Sequence, residues 1–149
     1  MDKIERSILV RAPRSRVWAA ISDIREFHRW FTTDSAETGF RAGADARMRV
    51  LHPGPYHGYE YVMHVEEIVP EEKFSWRWHP GAPGADVSQE PMTLVTFTLA
   101  DAAGGTLVTV TETGFDQLIA SRRERAYKEN EGGWQHQMGS LERYLHEAH

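Results

Sequence analysis

Gly132-Gly133-Trp134-Gln135-His136-Gln137-Met138-Gly139-Ser140-Leu141-Glu142-Arg143-Tyr144-Leu145 stands at the end of the chain. Trp134, Met138, Leu141 and Leu145 follow at offsets of four, three and four, which places the four side chains on one face of a helix. A long terminal helix with a large aromatic, after six or seven strands, implies a sheet wrapped around that helix. Such an arrangement can leave a pocket between the two. The glycine pair disfavours helix by about 1 kcal/mol per residue relative to alanine. Three explanations stand open: a kink, close approach of the helix to the sheet or to a bound molecule, or a break between a short helix and a longer one.

Working back from that helix, the other segments read as strands and two short helices. Ile4, Ile8 and Val10 alternate with polar residues, as in a half-buried first strand. Pro13 suits the first turn of a helix, and Val17, Trp18 and Ile21 repeat behind it at helical spacing. A second short helix is predicted from Asp23 or Ile24 to Trp30. Strands are expected near 34–40, 45–52, 58–69, 73–79, 91–100 and 105–113, divided by Gly43, Pro53-Gly54-Pro55 and Pro70 and by a mobile loop His79-Pro80-Gly81-Ala82-Pro83-Gly84-Ala85. Ala103-Gly104-Gly105 is a hairpin signal, and short turns between successive strands make the sheet antiparallel. No internal repeat interrupts this order, so residues 1–149 read as one domain.

Composition excludes several classes. A chain of 149 residues buries about 70% of its unfolded surface, enough for a substantial core or for a core with a cavity. Seventeen basic against twenty-two acidic residues give a net charge of -5, which argues against broad attraction to nucleic acid or anionic membranes. The run Arg122-Arg123-Glu124-Arg125 reads as the solvated face of a helix. With no cysteine, disulfides and thiolate chemistry are absent. The N-terminal residues lack a secretory apolar stretch and no segment approaches a membrane span, so a cytoplasmic location is expected. Eight histidines lack metal-binding spacing: His52 and His57 bracket a Pro-Gly-Pro loop, and Glu142, His146 and His149 share a face only in the fraying last turn. No phosphate loop or nucleophile elbow is present. No metal and no cofactor are expected.

The order of motifs resembles the helix-grip fold of the START-like or SRPBCC superfamily, and more narrowly its branch named after the activator of the heat-shock-protein-ninety ATPase. The resemblance rests on Ile8-x-Val10-x-Ala12-Pro13-x-x-x-Val17-Trp18, Trp30-Phe31, Val65 through Phe74, Gly105 through Phe115, and Gly133-Trp134-x-x-x-Met138-x-x-Leu141-x-x-Tyr144-Leu145. It implies an α+β fold: a curved antiparallel sheet of six or seven strands around a long C-terminal helix, with two short helices after the first strand. The superfamily includes lipid carriers, hormone receptors, aromatic polyketide cyclases and co-chaperones, so function has to come from the site. These 149 residues hold no counterpart of the additional domain of eukaryotic co-chaperones, which lowers the expectation of a chaperone role.

Strand alternation nominates the site. Tyr59, Tyr61, Met63 and Val65 share one face, and so do Phe74, Trp76 and Trp78. Val95, Phe97 and Leu99 form another set, and if Val108, Val110 and Glu112 form a fourth, Glu112 points inward. A pocket bounded by Tyr61, Met63, Trp76, Trp78, Phe97, Trp134 and Met138 suits a flat hydrophobic molecule, aromatic or lipid-like; the alternative is that these residues simply fill the core. Inside an apolar pocket Glu112 becomes a candidate acid or base, or an anchor for a ligand hydroxyl or amine, with Tyr61 as hydrogen-bond partner. Otherwise it is exposed or paired with an arginine such as Arg6. His64, one register from Met63, is expected to face outward. Three functions follow: a binder of a small hydrophobic molecule, a polyketide cyclase or dehydratase-like enzyme using Glu112, and a chaperone cofactor or regulator presenting an exposed patch. An exposed edge strand leaves a homodimer open.

Overall fold

β1 (Ile4–Val10) lies antiparallel to β7 (Gly105–Thr113), with Ile4 opposite Glu112 and Val10 opposite Thr106. In the computed structural model, which describes residues 2–80 and 87–147, the chain continues through helices α1 (Arg14–Ser22) and α2 (Ile24–Phe31) to strands β2 (Thr33–Asp34), β3 (Asp45–Val50), β4 (Glu60–Val69), β5 (Lys73–Trp78) and β6 (Thr93–Ala102). Among the described residues these strands form one antiparallel sheet in the order β1-β7-β6-β5-β4-β3-β2. A short 3-10 turn, Phe115–Gln117, leads to the terminal helix α3 (Ala120–His146). The sheet curves around α3, as the helix-grip reading requires. Of the expected loop His79–Ala85, the part from Gly81 onward lies outside the described residues.

Period-2 alternation sets the inner face. Met63 and Val65 of β4, Phe74 and Trp76 of β5, Val95, Phe97 and Leu99 of β6, and Val108, Val110 and Glu112 of β7 are all buried. The β4–β5 register slips between Val65 and Glu67, so Glu66 is an extra residue that bends β4. At the β6–β7 hairpin, a Cβ on Gly105 would sit 1.9 Å from the Val10 carbonyl oxygen, so only glycine lets β1 close on this end of the sheet.

The two short helices seal one end of the core. The Asp23 carboxylate accepts a hydrogen bond from the Arg25 backbone N–H and caps α2, whose Ile24, Phe27, Trp30 and Phe31 are buried. α3 then covers the end of α2: Ser140 Oγ donates to the Trp30 carbonyl at 2.6 Å and Gln137 Nε2 to the Phe31 carbonyl at 3.1 Å, satisfying carbonyls that a helix end leaves without partners. Trp134, Met138, Leu141 and Leu145 are buried on one face of α3 together with Ala126 and Tyr144. Each large apolar side chain so buried contributes about 1.5–3 kcal/mol.

Two expectations change. The strand sought at 34–40 is confined to Thr33–Asp34, because local side chains take over the bonds a ladder would make: Glu37 Oε2 accepts from the Arg47 N–H and Ser35 Oγ from the Glu37 N–H. At Gly132-Gly133, α3 runs through without a break, and a Cβ on either glycine would meet nothing within 4 Å. Close approach of the sheet is therefore not what the pair secures. The run at Arg122–Arg125 is helical and ion-paired, with Arg122 on Glu90 and Arg125 on Glu129.

Candidate functional site

A cavity of about 360 Å³ opens between the inner face of the sheet and the middle of α3. The end of α2 and the start of β2 contribute Phe31 and Thr33, and β3 and the segment that follows it Val50 and His52. The approach to β4 adds Tyr56 and Tyr59, β4 itself Tyr61, the end of β5 and the residue after it Trp78 and His79, and α3 Glu129, Asn130, Gly133, Trp134, His136 and Gln137. Its volume falls within the range of small-molecule sites. The walls are aromatic: Trp78 and Trp134 stack with centroids 6.0 Å apart, Tyr61 meets Trp78 edge-on at 5.4 Å, and Phe31 lies 5.9 Å from Trp134. His52 and His136 face each other across the rim at 4.9 Å.

The sequence-based site residues divide into two layers. Tyr61, Trp78 and Trp134 line the cavity, whereas Met63, Trp76, Phe97 and Met138 are packed in the core beneath it. The separation follows from aromatic packing: Trp76 stacks on Phe97 at 5.8 Å, and both rings contact Trp134, which therefore screens them from the cavity. Alternation along a strand places side chains on a face without saying how deep in the curved sheet each one lies.

Glu112 belongs to the lower layer. It is fully buried and accepts hydrogen bonds from four side chains. Trp78 Nε1 reaches Oε2 at 2.8 Å and Thr93 Oγ1 reaches Oε2 at 2.6 Å. Trp134 Nε1 reaches Oε1 at 2.8 Å, and Asn130 Nδ2 bridges both oxygens at 2.9 and 3.1 Å. It is neither exposed nor paired with arginine; Arg6 instead approaches Glu131 at 3.7 Å. Trp78, Trp134 and Asn130 each show the cavity one part of the side chain and the carboxylate another, so the residue sits one indole away from the ligand space. His64 is partly exposed and bonds to Asp45 at 2.6 Å.

Several polar atoms of the cavity wall are buried without a hydrogen-bond partner among the described residues: Tyr61 Oη, Gln137 Oε1 and His79 Nδ1. Burial pushes the Tyr61 phenol well above the ordinary tyrosine range and the His79 imidazole below the ordinary histidine range. Tyr56 donates to Glu129, and burial followed by this bond raises its phenol. For Glu129, burial acts upward, but the hydrogen bonds from Tyr56 and Arg125 outweigh it and hold the carboxyl below its usual value. The wall can therefore donate or accept hydrogen bonds at a few fixed points within an aromatic surface. Among the described residues, no three His, Asp or Glu side chains gather as a metal site, and no helix is long and apolar enough to cross a membrane.

Residues missing from the sequence-based site follow a legible pattern on α3. Asn130, Gly133 and Gln137 lie at offsets of three and seven from Asn130, a stripe that flanks the already recognised Trp134 and adds two amides to the cavity side of the helix. His52 and Tyr56 come from the segment after β3, which has no periodicity to signal them.

A curved antiparallel sheet gripping a long terminal helix, with an aromatic cavity between them, defines a helix-grip protein. The chain belongs to the family described as activator of Hsp90 ATPase homolog 1-like protein, whose model matches residues 11–146. No curated protein matches the sequence. Among solved structures the fold is shared with protein MLL2253 from Mesorhizobium loti, at 20% identity and TM-score 0.73 over 96% of both chains. It is also shared with the Aha1 dimer from Colwellia psychrerythraea, at 19% identity and TM-score 0.71 over 97% of this chain and 96% of that one. DynU16, described as a putative protein in the dynemicin biosynthetic locus, is 26% identical with TM-score 0.72; the match takes in 97% of this chain but 47% of DynU16.

Proposed function

We propose that the protein binds a small, flat, hydrophobic molecule between its sheet and α3, and that the aromatic cavity with its unpartnered polar atoms is the site. The observation that carries this reading is the pairing of stacked Trp78 and Trp134 with the buried, unpartnered Tyr61 Oη and Gln137 Oε1 in one cavity. An unsatisfied buried polar atom is unfavourable by about 1–3 kcal/mol, and a ligand that hydrogen-bonds to it removes that penalty. An aromatic ligand is favoured over a flexible acyl chain because the walls are built largely of aromatic rings. The 26% identical relative from a biosynthetic locus adds support for small-molecule chemistry as the setting.

Acid–base catalysis by Glu112, as in a cyclase, receives less support from the geometry, since four donors hold the carboxylate and two indoles stand between it and the cavity. A regulatory protein-interaction role would need a large apolar patch, and among the described residues the large exposed apolar side chains are scattered except for the cross-strand pair Leu9 and Leu107. A homodimer fits the free edges of β1 and β2 and the dimeric Aha1 relative.

The test is native mass spectrometry of the freshly purified protein, followed by titration of tryptophan fluorescence with the released molecule or with fused-ring aromatics. Binding should change Trp78 and Trp134 emission and should be lost in Gly133→Trp, which fills the cavity wall. Aromatics that bind with indole emission unchanged, or equally well to the filled variant, would place the site elsewhere.

A further inference from the structure

Glu112 is an acidic group without a basic partner. Among the described residues no Lys, Arg or His bonds to it; its donors are two indoles, an amide and a hydroxyl. Three of these, the Trp78 and Trp134 N–H groups and the Asn130 amide, can only donate in this geometry, and they address both oxygens, the arrangement that suits a carboxylate rather than a carboxylic acid. The other formal charges beside the cavity are balanced: Glu129 by Arg125, and Arg122 by Glu90. Among the described residues the negative charge of Glu112 is left without a counter-charge, below the floor of an aromatic cavity.

The floor transmits that charge. Each indole donates its N–H to the carboxylate at 2.8 Å and turns the rest of its ring to the cavity wall. A charge-assisted hydrogen bond draws electron density from the carboxylate into the donor and leaves the ring richer in electrons. A ring face with more negative potential attracts cations more strongly. Tyr59, Tyr61 and Phe31 add further ring surfaces, so a flat molecule lying in the cavity meets aromatic rings, two of which carry a buried negative charge at their N–H edge.

We propose that the cavity selects flat organic cations, such as aromatics with a quaternised ring nitrogen, over neutral aromatics of the same shape, because Glu112 is uncompensated and polarises Trp78 and Trp134 toward the ligand. The proposal rests on the reading of the cavity as a ligand site and specifies the charge of what it takes. Anionic aromatics are the disfavoured class, since the arginines beside the cavity are engaged, Arg122 on Glu90 and Arg125 on Glu129, burial keeps His79 toward its neutral form, and the other two imidazoles, His52 and His136, stand at the rim.

Three probes of nearly equal shape separate the possibilities: N-methylquinolinium, 1-methylnaphthalene and 1-naphthoate, each titrated into the wild-type protein while the indole N–H resonances of Trp78 and Trp134 are followed by NMR. The cation should bind about tenfold more tightly than its neutral isostere, as a desolvated cation–π contact with a nearby negative charge predicts, and the anion most weakly. The preference should persist at high salt, because a buried charge is screened little. Trp78→Phe keeps an aromatic wall but removes one N–H bridge to Glu112, and should reduce the ratio of cation to neutral affinity; a purely structural role for Trp78 would weaken both probes alike. If the neutral probe binds as tightly as the cation, the charge selectivity is refuted and the ligand site stands. If no probe shifts either indole resonance, both fall.

Discussion

Replacing Glu112 by glutamine is isosteric, yet it should destabilise the protein by about 2–4 kcal/mol, the sum of one buried donor left facing another donor and weaker bonds from the rest. With the amide oxygen at the Oε2 position, the bonds from Trp78 and Thr93 survive, but the new NH2 faces the Trp134 N–H, now 2.8 Å from its acceptor. Turning the amide over protects Trp134 and sets the NH2 against the Trp78 N–H, where only the Thr93 hydroxyl can rotate to accept. Either way one indole is orphaned. The relief of no longer burying an unpaired charge offsets part of the loss. For a chain of this length that destabilisation lowers Tm by about 5–15 °C. Thermal and urea unfolding followed by circular dichroism measure it, and the indole N–H resonances show which tryptophan has lost its acceptor. Glu112→Leu removes the acceptor for all four donors and should be worse than glutamine despite restoring apolar character. A glutamine variant within 1 °C of wild type, or a leucine variant more stable than the parent, would refute the reasoning that the carboxylate is held by its donors as a structural unit.

Other expectations follow from single features. Gly132→Ala and Gly133→Ala should each stabilise α3 by up to about 1 kcal/mol in urea melts, since an added methyl meets nothing within 4 Å; only the Gly133 variant, on the cavity wall, should also change ligand affinity. Tyr61→Phe deletes a buried hydroxyl without a partner and should leave stability unchanged or raise it by about 1 kcal/mol, while weakening any ligand that bonds to that hydroxyl, a trade-off visible by comparing melts with titrations. His28 and His79 are both held below the ordinary histidine value by burial. The folded state therefore takes up protons less readily than the unfolded state, so their contribution is full above the unfolded value of 6.5 and is lost as pH falls below it toward the folded values. His28→Asn should flatten that acid-side decline in stability.

Much of this was readable in advance. The β7 strand was bounded at 105–113 from a hairpin signal and strict alternation, and the α3 stripe from Trp134 to Leu145 was explicit in its spacing. The expected strand at 34–40 was not borne out, because its Ser and Glu side chains satisfy backbone and neighbouring N–H groups that pairing would otherwise have used. The cavity was legible only in part: Tyr61, Trp78 and Trp134 could be named, but depth in a curved sheet cannot be read from a period of two, so core residues such as Trp76 and Phe97 looked equivalent to them. The segment contributing His52 and Tyr56 carries no repeat at all, and its side chains reach the site through the path of the chain after β3.

Local periodicity was enough to determine the elements and their inward faces, because hydrophobic burial acts on every second residue of a strand and on every third or fourth of a helix. Glu112 marks the boundary of that logic. The alternation of Val108, Val110 and Glu112 pointed the side chain inward, while the cost of burying a lone carboxylate pointed it out. Only the tertiary structure resolved the conflict, by bringing Trp78 from β5, Thr93 from β6 and Asn130 and Trp134 from α3 onto its two oxygens. Hydrogen bonds between residues 18 to 34 positions apart leave no mark in a local pattern, and they are what makes an inward carboxylate stable.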